Sequence, residues 1–207
     1  MTPSPRRQEL LERAYRYALR HGLADLSLRP LASAIESSPR VLLFLFGSKD
    51  GLVRALIERA RADELALLER VRDETSRGDL ATVVRTTWRW LVDPAHRPLL
   101  ILWLEAYARS LTEPDGPWGG FARQVVDDWL AILAAAQAPT GHKRGAAVKR
   151  RPVAAPTSSA AVERTLALAV LRGALLDLLA TGDAARATAA VEAYLRAVRD
   201  RATAPAN

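Results

Sequence analysis

Apolar residues recur at helical spacing along almost the whole chain, with no convincing strand-like alternation. Leu11, Ala14, Ala18 and Leu19 make the first stripe and predict a helix over about Arg6 to His21, stopped by Gly22. Leu28, Leu31, Ala32 and Ile35 make the second, behind Ser27 as N-cap, with Pro30 in the first turn where no N–H is missed. Glu36-Ser37-Ser38 interrupts it, and Ser38-Pro39 reopens a helix with a cap and a proline at its first position. This helix is barely two turns long and ends at Phe46-Gly47. Ser48 then caps another, running from Lys49 to about Thr75. Two short helices joined by a three-residue turn are too small to be a domain. They suit a helix-turn-helix, which pushes one helix into a DNA major groove.

Positions 80, 83, 84, 87, 88 and 91 continue the helical template until Asp93-Pro94 breaks it. Pro98 permits a new helix through Leu111, and Glu113-Pro114-Asp115-Gly116-Pro117 is a loop. Trp118, Phe121, Val125, Trp129, Ile132, Leu133 and Ala136 mark a further amphipathic helix. Residues 138–157, rich in Pro, Gly and Ala, predict a flexible basic loop. From Thr165 to Ala180 only Arg172 and Asp177 are charged, so the helix over about Ser159 to Ala180 is apolar nearly all round and must be covered on more than one side. Gly182-Asp183 ends it and caps a last helix striped by Val191, Tyr194, Leu195 and Val198. The expected fold is all-α, with about nine helices.

The net charge of +7 is unevenly placed. Segment 138–157 holds five Lys/Arg and no acid, while residues 1–50 hold eight Lys/Arg against five Asp/Glu, a surplus of +3. Charge alone is therefore a modest argument for nucleic acid. The absence of cysteine excludes disulfides and thiolate metal sites, and His21, His96 and His142 lie too far apart for ligand spacing, so neither metal nor cofactor is expected. No run approaches 18 apolar residues and the N-terminus lacks a signal-peptide core, which reads as cytoplasmic, with no membrane partner. No G-x-S-x-G, P-loop, Rossmann fingerprint or H-E-x-x-H occurs, so an enzyme is not expected.

Leu10-Leu11-Glu12-Arg13-Ala14, His21-Gly22, Ser27-Leu28-Arg29-x-Leu31-Ala32, Leu42 and Phe46-Gly47-Ser48-Lys49-Asp50-Gly51-Leu52 together resemble the TetR (tetracycline-repressor-like) family of bacterial transcriptional regulators. The resemblance covers about residues 6 to 60 strongly and 165 to 200 loosely. It implies a three-helix DNA-binding domain over 1–50, a ligand-binding and dimerisation domain over 51–207, a double-stranded operator, a small-molecule effector and a homodimer. Two departures stand out. Glu36-Ser37 replaces the usual Gly-Val of the turn, and Leu43, Phe44 and Leu45 stand where the family often carries Tyr or His for phosphate contacts.

For DNA, Ser38 and Pro39 open the short helix and Arg40 is its only long polar side chain, placed to reach guanine O6 and N7 or merely to neutralise a phosphate or Glu36. Arg29 and Lys49, near the starts of their helices, suit phosphate clamping. Leu43 and Phe44 could pack on thymine methyls, with Phe44 equally suited to the small core. For an apolar or aromatic effector, Trp88, Trp103, Tyr107, Trp118, Phe121 and Trp129 could line a pocket or simply fill a core. Glu105 and Arg109 could be polar anchors or an i, i+4 surface pair. Leu168, Leu171, Leu175, Leu178, Val191, Tyr194, Leu195 and Val198 are the expected dimer interface through a four-helix bundle, against the alternative of a central helix in a monomer.

The reading that follows is a ligand-responsive repressor released from a near-palindromic operator. One rival is a helical dimerisation protein without specific DNA binding, which the apolar run 43–45 permits. The other, a basic membrane-surface protein, lacks the aromatic-plus-basic helix it needs.

Overall fold

The protein is described from a computed structural model, which covers residues 4–23, 25–75, 79–137 and 158–203. The basic segment 138–157 lies outside the described residues. Those residues are all-α: α1 (Pro5–His21), α2 (Leu28–Ala34), α3 (Pro39–Phe46), α4 (Lys49–Glu74), α5 (Leu80–Leu91), a single 3-10 turn at Pro94–His96, α6 (Arg97–Thr112), α7 (Phe121–Ala136), α8 (Ser159–Thr181) and α9 (Ala184–Thr203).

Short polar side chains set most of the helix starts. Ser38 Oγ accepts the Val41 N–H at 3.3 Å, Asp79 Oδ1 the Thr82 N–H at 2.9 Å, and Asp183 Oδ1 the Arg186 N–H at 2.9 Å. The Thr82 N–H holds the Asp79 carboxyl below its ordinary range, because that bond favours the charged form. Ser27 departs from expectation. It occupies the N-cap position of α2 in extended conformation, yet its side chain makes no capping bond.

The turn of the helix-turn-helix closes without glycine. Glu36 takes φ +56°, the Ser37 N–H reaches Ala32 O at 2.8 Å and the Glu36 N–H reaches Ser33 O at 3.3 Å, which is the Schellman pattern. Arg13 of α1 braces it, donating to Glu36 Oε2 at 2.9 Å and to Ile35 O at 3.4 Å.

The chain packs as two compact units, residues 1–67 with 95–126 and residues 68–94 with 127–207, whose boundary falls within α4 and α7. The division expected at residue 50 does not coincide with this packing. In the first unit Leu31, Ile35, Leu42 and Phe46 of the helix-turn-helix share one core with Leu10, Ala14 and Ala18 of α1, Leu52 and Leu56 of α4, and Leu102 and Ala106 of α6. Three short helices have too little apolar surface to cover themselves. A polar clamp adds to this contact. Tyr15 donates its hydroxyl to Asp63 Oδ2 at 2.7 Å, while Arg59 bonds Asp63, reaches Glu12 Oε1 at 2.8 Å and lies over the Tyr15 ring.

In the second unit α8 packs on α9 and α5, and Trp88 Nε1 donates to Thr188 Oγ1 at 3.0 Å. The residues expected at the dimer interface divide by burial. Leu168, Leu171, Leu178, Val191 and Leu195 are buried within the single chain, and Leu175, Tyr194 and Val198 are half-buried. Helices α5 and α9 cover that side of α8. The large apolar residues left outside are Val162, Leu166 and Leu176, with Ala169 and Gly173 between them and Ala180 one turn beyond.

Replacing Glu36 with Gly should raise stability by about 1 kcal/mol, because it relieves the left-handed backbone and loses only a surface ion pair. Denaturant midpoints of the two proteins check this. Burial and the bond to Asp63 push the Tyr15 phenol well above its usual value of 10.0. Its neutral hydroxyl therefore contributes fully below pH 10.0 and the contribution is lost as pH rises beyond that. Tyr15→Phe should flatten the alkaline fall in unfolding free energy by up to about 1.4 kcal/mol per pH unit. Urea titrations from below to above that pH measure the slope.

Candidate nucleic-acid interface

Helix α3 is eight residues long and amphipathic in an unusual sense, since nearly all of it is apolar and only the packing tells its sides apart. Leu42 and Phe46 are buried in the core. At 100° per residue, Arg40, Val41, Leu43 and Phe44 fall on the opposite side. Phe44 is 86% exposed, Leu43 40% and Val41 38%, so Phe44 is not part of the small core. Arg7 of α1 fixes the far end of the helix, donating to Leu45 O at 3.3 Å with its guanidinium 4.8 Å from the Phe46 ring centre.

Arg40 is exposed and makes no ion pair with Glu36, which is held by Arg13 instead. Arg29 and Lys49 line one recess of about 590 Å³ with Asp25, Leu26, Ser27 and Leu28, so the two cations expected to clamp phosphate do sit together. Ser38 and Pro39 form the start of α3, with the Ser38 oxygen occupied by the Val41 N–H. Sequence reasoning missed Arg7 and Arg13. Arg7 had no role there and Arg13 stood only within the α1 motif; tertiary packing turns them towards α3 and its approach turn.

The aromatic residues do not form one group. Trp118 and Phe121 are buried in the core of the first unit, and Trp103 and Tyr107, partly buried, pack against that core. Trp88 and Trp129 are buried in the second unit. A groove of about 730 Å³ beside α1, lined by Arg13, Arg16, Leu19, Arg20 and Leu99 among others, includes none of the six. Glu105 is engaged structurally, its Oε2 accepting the Leu23 N–H at 2.7 Å, and Arg109 pairs with Glu113. Thr87, on the inner stripe of α5, is buried with a hydroxyl that lacks a hydrogen-bond partner among the described residues.

No family model and no curated protein matches the chain by sequence. Solved structures do match by fold. The multidrug binding protein EbrR complexed with malachite green aligns with a TM-score of 0.64 at 20% identity, over 93% of this chain and 98% of that one. A TetR-like transcriptional regulator from Rhodococcus sp. RHA1 aligns at 0.59 with 19% identity, over 99% and 100%. The fatty acid degradation regulator FadR from Bacillus halodurans aligns at 0.58 with 13% identity, over 94% and 97%. The chain has the fold of TetR-like transcriptional regulators. No helix among the described residues is long and apolar enough to cross a membrane.

If Arg40 reads guanine, Arg40→Ala should lower affinity by about 1–3 kcal/mol and relax preference at one base position. Lys49→Ala should instead weaken all duplexes alike and reduce the salt slope by roughly one. Binding titrations at several salt concentrations, on matched and mismatched duplexes, separate the two roles.

Proposed function

We propose that this chain is a TetR-family transcriptional regulator that binds a near-palindromic operator as a homodimer and is released from it by a small apolar effector, acting as a repressor. The observation that carries the reading is the exposed face of α3, bearing Arg40 and Phe44, with Arg29 and Lys49 grouped in one recess. A helix held by its inner face and free on its outer one suits insertion into a major groove.

The dimer would use the outer stripe of α8. Val162, Leu166, Ala169, Gly173, Leu176 and Ala180 follow one another at spacings of four and three, the repeat of a packed helix pair, and Gly173 and Ala180 permit close approach. For the effector, Trp88 and Trp129 share the second unit, and the unpartnered Thr87 hydroxyl adds a polar group there. Similar folds accept aromatic ligands, since EbrR is seen with proflavin and with malachite green. Release would need the effector to favour one of two subunit arrangements, by a coupling of about 1–3 kcal/mol. The apolar α3 face also supports a second reading, a dimerisation protein without specific DNA binding.

Selection of bound sequences from random duplexes tests the main reading. Enrichment of a two-fold symmetric site supports it, while salt-sensitive binding with no enriched sequence favours the rival. On the dimer, Leu176→Asp should give folded monomers, because it places an unpaired charge in the interface. Leu171→Asp should unfold the chain instead, since Leu171 is only 2% exposed within one subunit. Sedimentation equilibrium with circular dichroism distinguishes these outcomes.

A further inference from the structure

We infer that α3 reads 5-methyl groups in the major groove, so that the duplexes it selects carry a thymine methyl about two base pairs from the guanine met by Arg40. The inference deepens the DNA-binding reading above and rests on it.

Between Pro39 and Phe46 the helix has one polar side chain, Arg40. Every other residue that faces outward, Val41, Leu43 and Phe44, has neither donor nor acceptor in its side chain. Three of the four bases show only donors and acceptors to the major groove, while thymine adds a methyl group, the one apolar mark on that surface. Apart from the Arg40 contact, α3 is therefore equipped to sense methyls and little else. Phe44 is the main reader. At 86% exposure it is the most exposed large apolar side chain among the described residues, and a phenyl ring cannot hydrogen-bond a phosphate.

Charge says what covers this face. Arg40 lies on it, Arg29 and Lys49 lie in the nearby recess, and none of the three has a carboxylate partner among the described residues. The fitting partner is thus a polyanion with an apolar strip. A second copy of the same face is disfavoured, since a two-fold contact would set Arg40 against Arg40. The spacing follows from helix geometry. Arg40 and Phe44 are four residues apart, about 6 Å along the axis, and stacked base pairs repeat at about 3.4 Å, which gives about two base pairs for a helix lying along the groove.

The test uses the full chain and the duplex enriched by the random selection, made once with thymidine and once with deoxyuridine at every thymidine position. Deoxyuridine removes the methyl and leaves the hydrogen-bonding edge intact. Affinity should fall about fourfold per contacted methyl, hence on the order of tenfold for two half-sites, as expected for loss of one buried methyl each. Phe44→Ala should bind both duplexes equally weakly. Because Phe44 packs on nothing in the core, the variant should keep its fold, and circular dichroism checks that. Equal affinity of the unaltered chain for the two duplexes overturns the inference, and so does a difference that persists in Phe44→Ala; both leave the regulator reading standing. Failure to enrich any duplex removes that reading and this inference with it.

Discussion

The shared core of α1, α2, α3, α4 and α6 is the constraint on which the rest of the N-terminal unit depends. Helices α2 and α3 have seven and eight residues, too few to be stable alone in water. Leu31, Leu42 and Phe46 gain their burial from Leu10, Ala14, Leu52, Leu56 and Leu102. Since α3 is held by Leu42 and Phe46, its opposite face is free by construction. The same packing brings α6 to the end of α1 through the bond from the Leu23 N–H to Glu105. Glu105 therefore ties α6 to the end of α1 within this unit.

Polar contacts then fix orientation more than they add stability. Arg7 holds the end of α3, Arg13 braces the turn before it, and Arg59 joins Glu12 to Asp63 over the Tyr15 ring. Most of these are partly exposed, where an ion pair contributes little free energy. Their value lies in geometry. In the proposed DNA-binding role, a helix displaced by a few ångströms would meet different base edges. Arg29, Arg40 and Lys49, on or near the exposed side of α3, have no ion pair among the described residues.

In the second unit a single helix does two jobs with similar side chains. One side of α8 carries Ala167, Leu168, Leu171, Ala174 and Leu178 into the core, and the other leaves Val162, Leu166 and Leu176 outside. An exposed leucine at 49% is unremarkable alone, but three large apolar residues in register along one helix form a patch that favours a partner. The core side is set by α5 and α9, so the free side follows from subtraction.

Helix boundaries were legible in the sequence because they are set locally. Ser38-Pro39, Asp93-Pro94 and Gly182-Asp183 act on backbone groups within a few residues, and the structure places ends at or beside each. The all-α fold and the helix-turn-helix were legible for the same reason, as was the unusual apolar run in α3. What the sequence could not supply was phase. A helix that is apolar nearly all round has no periodicity to say which side is inner, so Leu171 and Leu176 look alike until α5 and α9 are in place. Phe44 likewise fitted core or surface equally well, and its exposure was decided by Leu42 and Phe46 taking the inner positions. The grouping of the aromatic residues was hidden too, because stripes on separate helices do not say which helices meet. Local chemistry determined where each helix begins and ends; only contacts between distant segments decided which face each one turns outward.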